Sequence, residues 1–355
     1  VEQAIRDRHI NRGPVCQELE SRLAKVLGVP HVVLTSSGST ALLMSLLACG
    51  VSPGDEVILP AETFIAGAHA ALLLGAKVRL VDVLPDRPLI DPAKVQVAIT
   101  PRTRVVLPVH LNGMACDMAA VKSVADEHDL RVVEDAAQAF ASGADGQPAG
   151  TLGLLGAFSM GITKLITTGE GGFVATRSPE MYDKLLRLRN HGTRAIADNR
   201  FDELGFNFRM TDLQAAMGIA QLQRLQEKIS AHTALYTFYQ DAVADLHYLR
   251  LIPVHMERGE IPLWICALCS RREQVIALLA KRDIEARPFH PCLADSGHLD
   301  ATGEFPNARL FADHGMTLPS GPDQPEKNLQ RVAHALHEIS DKIETSIDSV
   351  LSGTP

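Results

Sequence analysis

Apolar and polar positions fall into blocks that switch between two periods. His31–Thr35 is a short β-branched run, and Ser39–Cys49 after it has helical character. The turn Ser52-Pro53-Gly54-Asp55 leads into a strand at Glu56–Pro60. Thr63–Leu74 then reads as helix, Lys77–Val83 as extended chain, Arg104–His110 as strand, Met118–Asp129 as helix and Arg131–Glu134 as strand. Ala157–Met160 and Gly172–Thr176 are two further short strands. Strands that are apolar throughout and alternate with helices predict an α/β fold, with a mainly parallel sheet covered on both faces.

Beyond this block the pattern changes. Met210–Ile229 predicts one long helix, Tyr248–Pro253 and Leu263–Cys269 two strands, and Arg272–Lys281 a helix. Asn328–Leu351, announced by Pro325, predicts a final helix. The expected division is a large domain over 1–230 and a smaller α+β domain over 231–355, and 355 residues are ample for two.

Composition narrows the function classes. With 46% hydrophobic and 21% charged residues the chain is an ordinary globular protein, not a disordered, collagenous or coiled-coil one. Its 34 basic and 42 acidic residues give a net charge of −8 with no basic stripe, which argues against nucleic acid as a partner. No apolar run reaches the roughly 18 residues of a membrane helix, and Val1–Arg12 is too charged to serve as a signal segment. Six scattered cysteines fit reduced thiols and a cytoplasmic setting. Cys266 and Cys269 form a CxxC, but in a strand they point to opposite faces, and no second pair completes a metal site.

Ligands of open parallel sheets bind beyond the carboxyl ends of the strands, so the loops there carry the chemistry. Thr35-Ser36-Ser37-Gly38-Ser39-Thr40 sets hydroxyls and a glycine at a helix start, which suits an anion or simple helix capping. Phe64, just past a strand, is either a core residue or a stacking surface for a flat ring. In Val132-Val133-Glu134-Asp135-Ala136-Ala137-Gln138 an acid ends a strand, where it can hold a protonated ring nitrogen, a metal or a ribose, or cap a turn. Lys164 lies alone in the apolar, hydroxyl-bearing and glycine-rich stretch from Ala157 to Gly172. A desolvated lysine there becomes an amine nucleophile, while the glycines would equally suit phosphate binding. Together the four loops describe a pyridoxal phosphate (PLP) site: a phosphate cup, a stacking ring, Asp135 for the pyridinium nitrogen and Lys164 for the Schiff base.

These motifs resemble the DegT/DnrJ/StrS family of sugar aminotransferases, in the aspartate aminotransferase superfamily (fold type I). The resemblance runs from Arg12-Gly13-Pro14 to the last helix. It is strongest at Ser37-Gly38-Ser39-Thr40-Ala41-Leu42, at Val133–Gln138, at Lys164 with Thr167-Thr168-Gly169-Glu170-Gly171-Gly172, and at Gly205-Phe206-Asn207-Phe208-Arg209-Met210-Thr211-Asp212. It implies a seven-stranded, mainly parallel sheet sandwiched by helices, and a ping-pong transamination with L-glutamate as amino donor and a keto sugar, nucleotide-linked, as acceptor. By resemblance Lys164 is the Schiff-base lysine, Asp135 the partner of the pyridine nitrogen, and Gln138 the contact to the 3′ oxygen. Gly38, Ser39 and Ser159 would hold the phosphate, and Phe64 would stack on the ring. Asn207 would reach the cofactor phosphate of a second subunit, making a homodimer with shared active sites. Arg209 lies in the same segment as Asn207, and Arg287-Pro288-Phe289-His290-Pro291 lies where the family's smaller domain contributes to the substrate pocket, so that His290 would either contact the substrate or bridge loop backbone.

Asn112 stands where many family members have tyrosine, and Met160-Gly161 where many have an aromatic followed by histidine. Both changes lie near the expected substrate mouth. A cyclitol ketone is an alternative acceptor. A PLP-dependent sugar dehydratase of this family would replace the lysine with histidine, and Lys164 is present. A non-enzymatic regulator would have lost site residues or gained a DNA-binding segment, and neither is seen.

Overall fold

The computed structural model describes residues 1–6, 10–194, 200, 201 and 203–352. Its centre is a seven-stranded sheet. In spatial order the strands are His31–Thr35, Gly172–Thr176, Leu155–Ser159, Arg131–Asp135, Thr103–Val106, Glu56–Pro60 and Lys77–Val81. Gly172–Thr176 runs antiparallel to both its neighbours, and all other pairings are parallel. The mainly parallel sheet read from the sequence is therefore the one observed.

Side chains alternate across each strand, so a sheet buried on both faces divides them between two cores. Val33, Leu155, Ala157 and Val174 belong to one buried cluster. Their neighbours Val32, Leu34, Phe158, Phe173 and Ala175 belong to the other, with Leu19, Leu23 and Leu27 of the helix Pro14–Leu27 packed over them. That helix begins on Pro14 and ends at Gly28, whose φ of 63° suits glycine. The buried Asp212 carboxylate accepts the N–H groups of Gly13, Val15 and Cys16, capping it from the far side of the sequence.

A second, antiparallel sheet orders Leu249–Leu251, Ile265–Cys269, Gly315–Leu318 and Arg287–Pro288. It is not walled off. The first cluster runs unbroken from Val57, Val106 and Val133 to Tyr236, Tyr239, Ala267, Phe311 and Leu336. Cys266 and Cys269 are buried free thiols in the strand Ile265–Cys269, and burial pushes them up to about 12 and about 11.

Several expected elements differ in extent. The single helix over Met210–Ile229 is two, Asp212–Gln223 and Leu225–Ala242, because Arg224 takes φ −102° and ψ 13°. The expected boundary at 230 thus falls inside a helix. Asn328–Leu351 is likewise two, Glu326–Ser340 and Ile347–Ser352. The strand expected at Arg104–His110 stops at Val106, although Val109 still bridges Asp135. The helices Pro14–Leu27, Pro179–Arg189 and Pro306–His314 each carry a proline in the first turn, a start signal the reading of the sequence passed over.

Candidate active site

Three strand ends converge. Gly172 pairs with Thr35 on one side and Ser159 on the other, and Asp135 lies opposite Ala157 on the next strand. The glycines make this convergence possible. A Cβ on Gly172 would sit 2.4 Å from the Ser37 carbonyl carbon and oxygen, and one on Gly38 would sit 2.7 Å from Ser159 Cβ. The loop Ser36–Thr40 is thereby pressed against Ser159 and Gly172. Its helix, Gly38–Ala48, opens with Ser37 Oγ accepting the Thr40 N–H at 3.1 Å. The remaining first-turn N–H groups have no intrahelical acceptor and, with the helix dipole, suit a phosphate. Ser39 is exposed at this turn, and Ser159 Oγ accepts the Gly161 N–H at 3.2 Å.

Asp135 is buried at its strand end. Its Oδ1 accepts the Ala137 N–H at 3.0 Å, and its main chain exchanges hydrogen bonds with Pro108 and His110. Burial pushes this carboxyl above its usual value, with the Ala137 N–H, Lys164 and His110 pulling the other way. A cation on the open side of Asp135 would complete its ionisation. Behind it, His110 Nε2 and Glu134 Oε2 lie 2.8 Å apart, and the Cys116 N–H donates to His110 Nδ1. Glu134 also accepts the amides of Gly150, Leu152 and Gly153. His110 and these amides hold Glu134 below the usual carboxylate range despite the upward push of burial.

Lys164 is half-buried, and desolvation lowers its ammonium below the usual lysine range while Asp135 pulls it back up. Its Nζ lies over the Trp264 ring, 5.1 Å from the centroid. Gln138 Oε1 accepts the Asn112 N–H at 2.8 Å. His290 meets Phe64 edge-on at 6.0 Å; burial and the nearby Lys164 hold its imidazole below the usual range. Phe64 is 54% exposed, a ring at the surface of the site and not in the core.

Asn112 differs most from expectation. It is 1% exposed, and its amide is engaged on both sides by Trp264: Oδ1 accepts the Trp264 N–H at 2.5 Å and Nδ2 donates to the Trp264 carbonyl at 2.9 Å. The side chain expected at the substrate mouth faces the protein. Asn207 is exposed and its backbone bridges Asn190, while Ser36 N–H donates to the Phe208 carbonyl, seating this segment beside the phosphate loop. Arg209 donates to Asn190 Oδ1 at 2.6 Å and lines a hollow of about 510 Å³ with Arg12, Arg189 and Arg194. Trp264 went unread in the sequence, although it is the only tryptophan in the chain.

The matching family profile covers residues 1–337. The chain belongs to the DegT/DnrJ/EryC1/StrS aminotransferase family. Members of this family use PLP, and the chain is a PLP-dependent transaminase. It is 38% identical to the GDP-perosamine synthase of Caulobacter vibrioides over 331 residues, 91% of this chain and 89% of that one. It is 35% identical to the dTDP-3-amino-3,4,6-trideoxy-alpha-D-glucose transaminase of Streptomyces venezuelae, over 94% of this chain and 89% of that one. The crystal structure of S. venezuelae DesV in complex with a ketimine intermediate superposes with a TM-score of 0.92 at 32% identity, over 97% of this chain and 94% of that one.

The residues present fit the cofactor of this family. Gly38 and Gly172 let the helix start at Ser37–Thr40 pack directly on Ser159 and Gly172, where a Cβ would collide, and this seats the free first-turn N–H groups at the strand ends. A buried carboxyl and a desolvated lysine, drawn together electrostatically, stand next to it. No helix among the described residues is long and apolar enough to cross a membrane.

Proposed function

We propose that this chain transfers an amino group from L-glutamate to the carbonyl carbon of a nucleotide-linked keto sugar, giving an amino sugar. The observation that carries the reading is the desolvated Lys164 coupled to Asp135 at the carboxyl end of the sheet. The sugar is supported by two relatives whose names describe amino-sugar chemistry on nucleotide carriers.

PLP would be held by Lys164 and Asp135, by the N–H groups at Gly38 and Ser39 with Ser159, by Gln138 and by Phe64. When bound it supplies an electron sink for the carbanion formed at the amine-bearing carbon. Lys164 Nζ would take the proton from the amine-bearing carbon of the donor and, in the second half-reaction, supply one to the former carbonyl carbon of the acceptor; its burial leaves the amine more readily unprotonated than an exposed lysine. Asp135 Oδ, itself buried, would hold positive charge on the ring nitrogen. Phe64 covers one side of the mouth, and His290 stands against it.

The same reading makes the working unit a homodimer in which Asn207 completes the partner's site. Asn207 is exposed in the single chain, beside exposed Phe201, Leu204 and Phe206, an apolar surface suited to a second copy.

The test is a panel of nucleotide-linked keto sugars and cyclitol ketones, incubated with glutamate and the loaded protein. Formation of 2-oxoglutarate matched by an aminated nucleotide sugar is the expected result. Amination of cyclitols alone, or no conversion with any acceptor, would overturn the substrate assignment.

A further inference from the structure

We infer that Trp264 is a positioning residue for Lys164: its indole face holds the Lys164 amine as an ammonium whenever that nitrogen is not bonded elsewhere, fixing where the lysine waits beside Asp135. The inference rests on the reading of Lys164 as the lysine that bonds the cofactor.

Three observations carry it. The Nζ lies 5.1 Å from the Trp264 centroid, within the roughly 6 Å over which a ring face attracts a cation. The backbone that carries the ring is held in place. Asn112, at φ 54°, clamps the Trp264 N–H and carbonyl, and its own carbonyl accepts the Leu263 N–H at 3.3 Å. That clamp is tied to the site, because the Asn112 N–H donates to Gln138 Oε1. Gln138, Asn112, Trp264 and Lys164 therefore form one connected chain, which links loops of the first sheet to the residue preceding the strand Ile265–Cys269 of the second.

The chemistry suits an amine that must be released and recaptured. The titratable groups acting on Lys164 are Asp135, which favours the charged amine, and His290, which the ammonium disfavours as a cation. A second carboxylate in the place of Trp264 would trap the proton, and an aliphatic side chain would leave the ammonium unsupported. An indole face attracts the cation but accepts no proton.

The experiment uses the full chain, freed of cofactor with an amino donor, and its Trp264→Leu and Trp264→Phe variants. Uptake of PLP is followed by the visible band of cofactor bonded to lysine, as a function of pH. Only the unprotonated amine reacts, so the midpoint of the rate profile reports Lys164. Loss of the indole should move that midpoint down by about half a pH unit, and phenylalanine should restore part of it. A merely structural tryptophan would change the rate and leave the midpoint where it is. An unmoved midpoint in a folded Trp264→Leu chain, or an equal shift in both variants, overturns the inference.

Should Trp264→Leu fail to fold, the emission of the one tryptophan decides. Its alkaline titration in the wild-type chain should vanish in Lys164→Gln, and persistence there would overturn the inference. A visible band that still forms in Lys164→Gln would instead overturn the assignment of Lys164 itself, and with it this proposal.

Discussion

Gly172 offers a sharp test of where the cofactor phosphate sits. It is the residue at which the two flanking strands and the loop Ser36–Thr40 meet. In Gly172→Ala the new Cβ would lie 2.4 Å from the Ser37 carbonyl carbon and oxygen and 2.6 Å from the Gly38 nitrogen. All three are backbone atoms, so no side chain can rotate away. Reaching ordinary contact at 3.4 Å requires the loop and strand to part by about 1 Å. Overpacking of this kind costs about 1–3 kcal/mol. If the parting is taken up by the loop, the same energy appears as lost phosphate affinity, about 5- to 150-fold at roughly 1.4 kcal/mol per tenfold.

The assay is a titration with PLP followed by the visible band, alongside a thermal melt of the cofactor-free chain. Gly297→Ala is the control, because its Cβ would meet nothing within 4 Å. The expected result is weakened PLP binding in Gly172→Ala and none in the control. Unchanged affinity with a lowered melting temperature would show that the strain is relieved elsewhere, and would refute the loop as the seat of the phosphate.

On the proposed role of Asp135, Asp135→Asn removes the anion that would face the ring nitrogen and should slow both half-reactions by two or more powers of ten while the fold survives; equal rates would exclude the role. Glu62, fully buried just past the strand Glu56–Pro60 with no donor to either oxygen among the described residues, is pushed up to about 9 by burial. The folded chain then keeps a proton that the unfolded chain loses near 4.5, so this group costs stability progressively as pH rises from about 4.5 through about 9. Denaturant unfolding should show Glu62→Gln losing less stability than wild type between pH 5 and 8, and parallel losses would contradict the assignment. Mixing Lys164→Ala with Asn207→Ala chains should restore activity toward half of wild type per mixed dimer, since one of its sites then carries neither defect; no gain despite proven exchange would remove the shared site.

The sheet and its loops were legible because they depend on local sequence. The apolar runs His31–Thr35, Glu56–Pro60 and Gly172–Thr176 are strands whatever surrounds them, and all three were placed with their observed bounds. Helix ends were less legible. Nothing in the period of Met210–Ile229 marks the break at Arg224, which is a matter of one residue's backbone angles. The prolines at 14, 179 and 306 were readable helix starts.

What the sequence did not disclose depends on distant contacts. Asn112 and Trp264 are 152 residues apart, and no periodicity relates them. The family resemblance puts Asn112, which stands where many members have tyrosine, near the substrate mouth. Only the antiparallel sheet, by delivering the Trp264 backbone to that point, turns it into a clamp. Glu62 poses the same problem in reverse: an acid in a loop reads as solvated, yet here it is sealed between Ala61, whose carbonyl accepts the Leu293 N–H, and the segment carrying Cys292. Both features sit where the second sheet closes on the first. The strand ends and loops of the first sheet place Asp135 and Lys164, to which the proposed function assigns the cofactor chemistry, and local pattern finds them. The second sheet supplies the surface against which the lysine rests, and it enters the site only through tertiary packing. Differences between members of this family that share the first set of residues should therefore be sought along this seam, at Phe64, Asn112, Trp264 and His290.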